Sequence, residues 1–195
     1  MASTDDVIGA MRSLQRAYLI GVEGVTEVWL VRHADVYDED EVVADPSLSP
    51  LGRRQAERLA QRIKSVKVDA VYSSPLRRAL QTAAALRDRV EADPRLTEVR
   101  ASFSDGRVEL QESRDAVIER MRGAVDAAVA AHPGGRIVMV THGIAILTYL
   151  GDILRLTPGT LRLFPDFTSI SVVRIKGDRR MAGSLCDTAH LEPVA

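Results

Sequence analysis

Three short segments carry side chains suited to handling a dianion. Arg32-His33 follows the apolar run at 28–31. Ser73-Ser74-Pro75, with Arg77 and Arg78 one turn on, follows the run at 68–72. Thr141-His142-Gly143 follows the run at 137–140. Each apolar run ends in a cation, an imidazole or a hydroxyl. Arginine's planar fork meets two oxygens of a phosphate at once, and a neutral imidazole can attack phosphorus as a nucleophile. Taken singly, each segment has a plainer reading: a polar pair ending a strand, a capped helix start with solvated arginines, a turn with a satisfied histidine. Their joint occurrence points to a phosphate pocket. His132 and His190 stand at a helix end and near the C-terminus, and no catalytic role falls to them. A metal centre needs three or four convergent ligands. Here the imidazoles come with arginines, which repel a cation, so neither a metal nor another cofactor is expected.

The elements that must position these residues alternate between strand and helix. Ser49-Pro50 reads as the N-cap and first position of a helix. Its apolar stripe is Leu51, Ala56, Leu59, Ala60, Ile63 and Val66. Ser74-Pro75 reads as another helix start, running to about Val90. A looser segment at 91–112 contains Pro94 and Gly106. Helix returns over 113–131, stops before Pro133-Gly134-Gly135, and reappears over 144–156. Residues 169–175 and 180–185 alternate like a hairpin with Gly177-Asp178 at the turn. This alternation, with continuously apolar strands, predicts a three-layer α/β/α sandwich with a mostly parallel central sheet. Ligands of such sheets bind at the carboxyl ends of the strands, where helix N-termini add N–H groups and positive dipole ends.

Residues 1–195 read as one domain, with residues 1–25 as an N-terminal extension. Val7, Ile8, Met11, Leu14 and Tyr18 recur at near-helical spacing, with Thr4 placed as N-cap and Asp5 and Asp6 in the first turn. Arg12 and Arg16 interrupt this stretch and acidic residues precede it, unlike a secretory apolar core. It predicts an amphipathic surface helix whose apolar face covers part of the domain or a partner chain. That helix and the open edge of the hairpin together suggest a homodimer.

A net charge of -1 gives no sign of a polyanion-binding surface, so no nucleic-acid partner is expected. No apolar run approaches membrane-span length, so no membrane partner is expected either, and a cytoplasmic location is the corresponding expectation. Cys186 is the one cysteine, which excludes an internal disulfide and a cysteine-based zinc site.

Together the segments resemble the histidine phosphatase superfamily, the phosphoglycerate-mutase-like proteins. The likeness rests on RHA at Arg32, LSPLGRRQA at Leu48, SSPLRRALQTA at Ser73, THG at Thr141 and the ending TSISVVRIKGDRRMAGSLCDTAHL. It implies a phosphoric monoester hydrolase of the histidine acid phosphatase type, acting on a small phosphorylated metabolite through a phosphohistidine. By this resemblance His33 is the nucleophile, and Arg32, Arg78 and His142 complete the phosphate pocket, His142 also counting as catalytic. Arg78 is selected over Arg77 because it directly precedes Ala79. Glu98, in Leu96-Thr97-Glu98, takes the place of the family's proton donor, with Glu109 and Glu112 as competitors. The chain departs from the family at Ala34, where glycine is usual, and in ASFSDGR after Glu98. Asp35 and the acidic run to Glu41 read as a solvated loop. Two alternatives stay open: a phosphoglycerate mutase, and a phospho-ligand-binding protein without turnover. The stretch between 90 and 113 is too short for a large cap over the site, which favours hydrolysis. A mere binder has no need of a nucleophilic imidazole.

Overall fold

A computed structural model describes residues 4–37, 45–104, 107–157, 160 and 162–192. Along the chain it contains α1 (Thr4–Ala17), β1 (Thr26–Arg32), α2 (Pro50–Lys64), β2 (Ala70–Ser73), α3 (Arg77–Ala84) and β3 (Glu91–Ala92). There follow β4 (Ala101–Ser104), β5 (Arg107–Leu110), α4 (Arg114–Ala131), β6 (Arg136–Thr141), α5 (Gly143–Ile153), β7 (Ile170–Lys176) and β8 (Arg179–Asp187).

Six strands form one sheet in the order β3-β2-β6-β1-β7-β8. The first four run parallel, and β7 and β8 add an antiparallel hairpin on the far side of β1. Because successive strand residues face opposite sides, the apolar strands feed two cores. Val28, Leu30, Ile137 and Met139 pack with Val117, Met121 and Val125 of α4 and Ile146 and Tyr149 of α5. Val31, Val71, Val138 and Val140 pack with Leu59 and Ile63 of α2 and Ala79 and Ala83 of α3. The result is the three-layer sandwich, with its sheet parallel over four of six strands.

Local chemistry shifts several boundaries. The Ser49 hydroxyl accepts from Gly52 N (2.9 Å) and caps α2 as its sequence suggests, although Leu51 is exposed rather than part of the packed stripe. α3 does not begin at Ser74-Pro75. Ser74 N donates to Val140 O at 2.9 Å, which keeps that residue aligned with the sheet, and a residue preceding proline is biased away from helix. α3 also ends six residues short of Val90, at Ala84. The chain must return to the edge of β2, where Asp93 N donates to Ser73 O at 2.8 Å. The segment after it holds a short 3-10 turn and the two-stranded sheet β4-β5.

α1 includes Thr4 and stops at Ala17; Leu19 then takes a positive φ of 58°. Its apolar face does not cover the domain. Val7, Met11, Leu14 and Tyr18 are each more than half exposed.

Candidate active site

β6 lies between β2 and β1, so the carboxyl ends of the three strands are neighbours. Arg32 stands opposite Thr141, and Ser73 opposite Val140. One residue past the strands the junctions remain pinned: His33 N donates to Thr141 O at 2.9 Å and Ser74 N to Val140 O. Side chains from α2 and α3 then hold the loop after β1. Thr82 Oγ1 accepts from Ala34 N (3.0 Å), Gln55 Oε1 from Asp35 N (2.9 Å), and Gln81 Oε1 from Leu48 N (2.8 Å). The loop passes so close to α2 that a Cβ at Gly52 would sit 2.0 Å from Asp35 O. No other residue fits there without moving the loop.

These constraints bring Arg32, His33, Arg78 and His142 together. His33 is 6% exposed. Its Nδ1 lies 2.8 Å from Ala34 O; a carbonyl can only accept, so Nδ1 carries the proton and Nε2 the lone pair. Arg78 Nε donates to that Nε2 at 3.2 Å. The His142 ring is fully buried, with its centroid 5.1 Å from that of His33. Its Nε2 is 2.8 Å from Ser74 Oγ, and its Nδ1 has no hydrogen-bond partner among the described residues. Arg32 donates to Pro165 O at 2.8 Å and lies over the rings of Phe167 (3.9 Å) and Phe164 (5.1 Å). A Cβ on Gly143 would come within 2.8 Å of the Phe164 ring, so glycine lets that ring close in. Arg77 is exposed, whereas Arg78 is half-buried. Asp45 accepts from Arg77 N with both oxygens and lies 3.5 Å from the Arg78 fork.

Glu98 sits at the start of α5. Its Oε1 accepts from Val99 N (2.9 Å) and Ala145 N (3.1 Å), and its Oε2 accepts from Ile144 N (3.3 Å). Its charge acts on both Arg32 and Arg78. Of its competitors, Glu112 is engaged bidentately by Arg120 at 2.7 and 2.9 Å, and Glu109 is exposed on β5. Asp35 is not simply solvated, because its carboxylate accepts from the Ser49 hydroxyl; Asp38, Glu39, Asp40 and Glu41 lie outside the described residues. Among the described residues no group of three His, Cys, Asp or Glu side chains is arranged to hold a metal. No helix among them is long and apolar enough to cross a membrane.

The model of the histidine phosphatase superfamily (branch 1) matches residues 28–109 and 99–188. The chain belongs to this superfamily. A probable phosphoglycerate mutase of Yersinia enterocolitica is 30% identical, over 87% of this chain and 96% of its own length. A metal-independent phosphoserine phosphatase of Arabidopsis thaliana is 25% identical, over 96% of this chain and 92% of its own. In structure, the chain is similar to phosphoserine phosphatase from Entamoeba histolytica in complex with 3-phosphoglyceric acid. The TM-score is 0.74 at 23% identity, covering 86% of this chain and all of that one.

Several residues that shape the site of this histidine phosphatase are not singled out by sequence reasoning. Gln55, Gln81 and Thr82 stand inside the quoted RRQA and LQTA motifs, so a signal was present, but their task of holding the loop after β1 is not readable there. Ser74 reads as a helix cap; its hydroxyl accepts from Leu76 N and also meets His142. Phe164 and Phe167 reach Arg32 from the stretch before β7 and carry no local signal.

Burial is the main cause of the electrostatics. It pushes the His33 imidazole down to about 3 and His142 down to about 2, with neighbouring arginines adding to both shifts. Burial also lowers Arg32 and Arg78, which stay cationic. In the unfolded chain both histidines titrate near 6.5. From there down to about 3 the unfolded state therefore holds more protons than the folded one. The stability linked to the neutral rings is complete above 6.5 and is lost as pH falls towards the folded values. His142→Asn removes one such proton. Its unfolding free energy in urea should lose about 1.4 kcal/mol per pH unit of slope between about pH 6 and 4. An unchanged slope would mean that His142 is charged in the folded protein.

Proposed function

We propose that this histidine phosphatase is a phosphomonoester hydrolase that works through a phosphohistidine intermediate on a small phosphorylated metabolite. One observation carries the reading: His33 is held as the tautomer whose unprotonated Nε2 faces the Arg78 guanidinium. A phosphate dianion seated between Arg32 and Arg78 puts phosphorus within reach of that nitrogen. Positioning and charge neutralisation are what phosphoryl transfer demands most. Ser74 donating to His142 Nε2 leaves the proton on Nδ1, which then has a phosphate oxygen to bond.

In this reading His33 Nε2 forms a bond to phosphorus as the ester P–O bond breaks, and Glu98 protonates the departing alkoxide. A water deprotonated by Glu98 then attacks phosphorus. The P–N bond breaks, inorganic phosphate leaves, and His33 is regenerated with its lone pair. Residues 1–195 act as one unit, α1 being an addition to it. Mutase-type transfer uses the same first step and must shield the phosphohistidine from water. Among the described residues, the segment after Glu98 supplies the four-residue strands β4 and β5, a small cover that favours hydrolysis. The histidine acid phosphatase type expected from sequence is the finer form of this proposal. Phosphoserine and 3-phosphoglycerate, both bound by the similar phosphoserine phosphatase from Entamoeba histolytica, are the first compounds to assay.

The two half-buried guanidiniums supply the positive charge that a metal would bring. p-Nitrophenyl phosphate hydrolysis should therefore keep its rate after exhaustive chelation with EDTA. An absolute requirement for an added divalent ion would refute the proposed chemistry, and no turnover on any phosphomonoester in a broad metabolite screen would favour the binding-protein alternative.

A further inference from the structure

The matched family region begins at residue 28 and leaves α1 outside it. Every side chain from Val7 to Tyr18 is exposed, and a Cβ at Gly9 would meet nothing within 4 Å. A lone helix of 14 residues is marginal in water, and Gly9 weakens it further. The segment therefore has reason to bury its apolar stripe elsewhere.

The pattern of that stripe suits a second copy of the chain. Val7, Met11, Leu14 and Tyr18 recur at spacings of four, three and four, the seam of a two-helix coiled coil. Their exposures are nearly uniform, at 55%, 53%, 55% and 55%. The residues flanking the seam are Ile8, Ala10, Gln15 and Ala17, all uncharged and two of them small. By helical spacing Arg12 and Arg16 fall on the opposite side. A second copy laid along the seam thus meets neither like charge nor bulk. The root of the helix is fixed to the body: Arg179 donates to Ala17 O at 2.5 Å, Lys176 donates to Glu23 O at 2.6 Å, and Leu19 is buried. Every copy presents the seam at the same place beside the β7-β8 turn, as a two-fold interface requires.

We propose that α1 is a self-association element, pairing its Val7-Met11-Leu14-Tyr18 seam with that of a second copy to form a two-fold dimer. A seam of about 20 Å is too short for the roughly 800 Å² per partner of a standard interface, so the dimer is reversible and concentration-dependent.

Sedimentation velocity on the full chain, from about 1 to 200 μM, tests this against micromolar dissociation constants. Wild type should move from the monomer mass towards twice that mass. Met11→Glu combined with Leu14→Glu should remain monomeric over the whole range with unchanged aryl phosphatase activity, since both positions are exposed in the single chain. Arg16→Glu, on the opposite side, should dimerise like wild type. A monomeric wild type at the highest concentration overturns the proposal, as does a double variant that dimerises normally. So does a wild type that is monomeric in solution yet co-sediments with phosphatidylcholine–phosphatidylglycerol vesicles.

Discussion

His33→Ala should abolish turnover and, with it, an acid-labile phosphoryl label on the protein. The expected loss is on the order of 10⁴-fold or more, the scale seen when a nucleophile acting within a catalytic unit is removed. The resemblance makes His33 the nucleophile, and the geometry suits that role: Nδ1 is committed to Ala34 O, so Nε2 is the nitrogen free to attack, and Arg78 already points at it. The phosphoramidate formed there should break in acid and survive alkali. Rapid quenching with labelled substrate should place the label on the peptide containing His33. The fold should persist, because the backbone at this position is held by Thr141 O and the following residue by Thr82, not by the imidazole. Near-normal hydrolysis by His33→Ala, or a label mapping to His142, would overturn the mechanism.

What the sequence reveals and conceals follows from the range of the interactions involved. The strand ends are legible because a continuous apolar run that stops in Arg-His or Thr-His-Gly is a local signal. Their convergence follows once three parallel strands share one sheet. The choice of Arg78 over Arg77 is likewise local and matches the burial of the two side chains. The start of α3 is not legible, because Ser74 is held in line with the sheet by Val140 O of β6, far along the chain. The β4-β5 hairpin escapes because its strands are four residues each, too short for period-two alternation to stand out. The stacking of Arg32 on Phe164 and Phe167 joins residues more than a hundred positions apart, which no local pattern encodes. α1 shows the converse: its amphipathic pattern is plain in sequence, but only the structure shows that its own domain leaves that face uncovered.

Glu98→Gln should separate substrates by their leaving groups. Sequence alone leaves Glu98, Glu109 and Glu112 in competition, and the structure distinguishes them by position. Glu112 is held by Arg120 and Glu109 is exposed on β5, while Glu98 adjoins His142 through the first turn of α5. Glutamine keeps the size of the side chain and one carbonyl to accept from Ala145 N, but it has no proton to give an alkoxide. Hydrolysis of an alkyl phosphate should fall by roughly 10²–10⁴-fold, the usual worth of a positioned acid or base. An aryl phosphate departs as a stabilised phenolate and needs less protonation, so its rate of phosphohistidine formation should fall much less. The lost anchorage of Ile144 is a separate effect and should weigh on both substrates alike, since it acts through the placement of His142. A large alkyl-to-aryl difference therefore reports the proton, and a common loss reports the helix start. Equal, small losses on both substrates would move the acid role to Glu109 or another carboxylate.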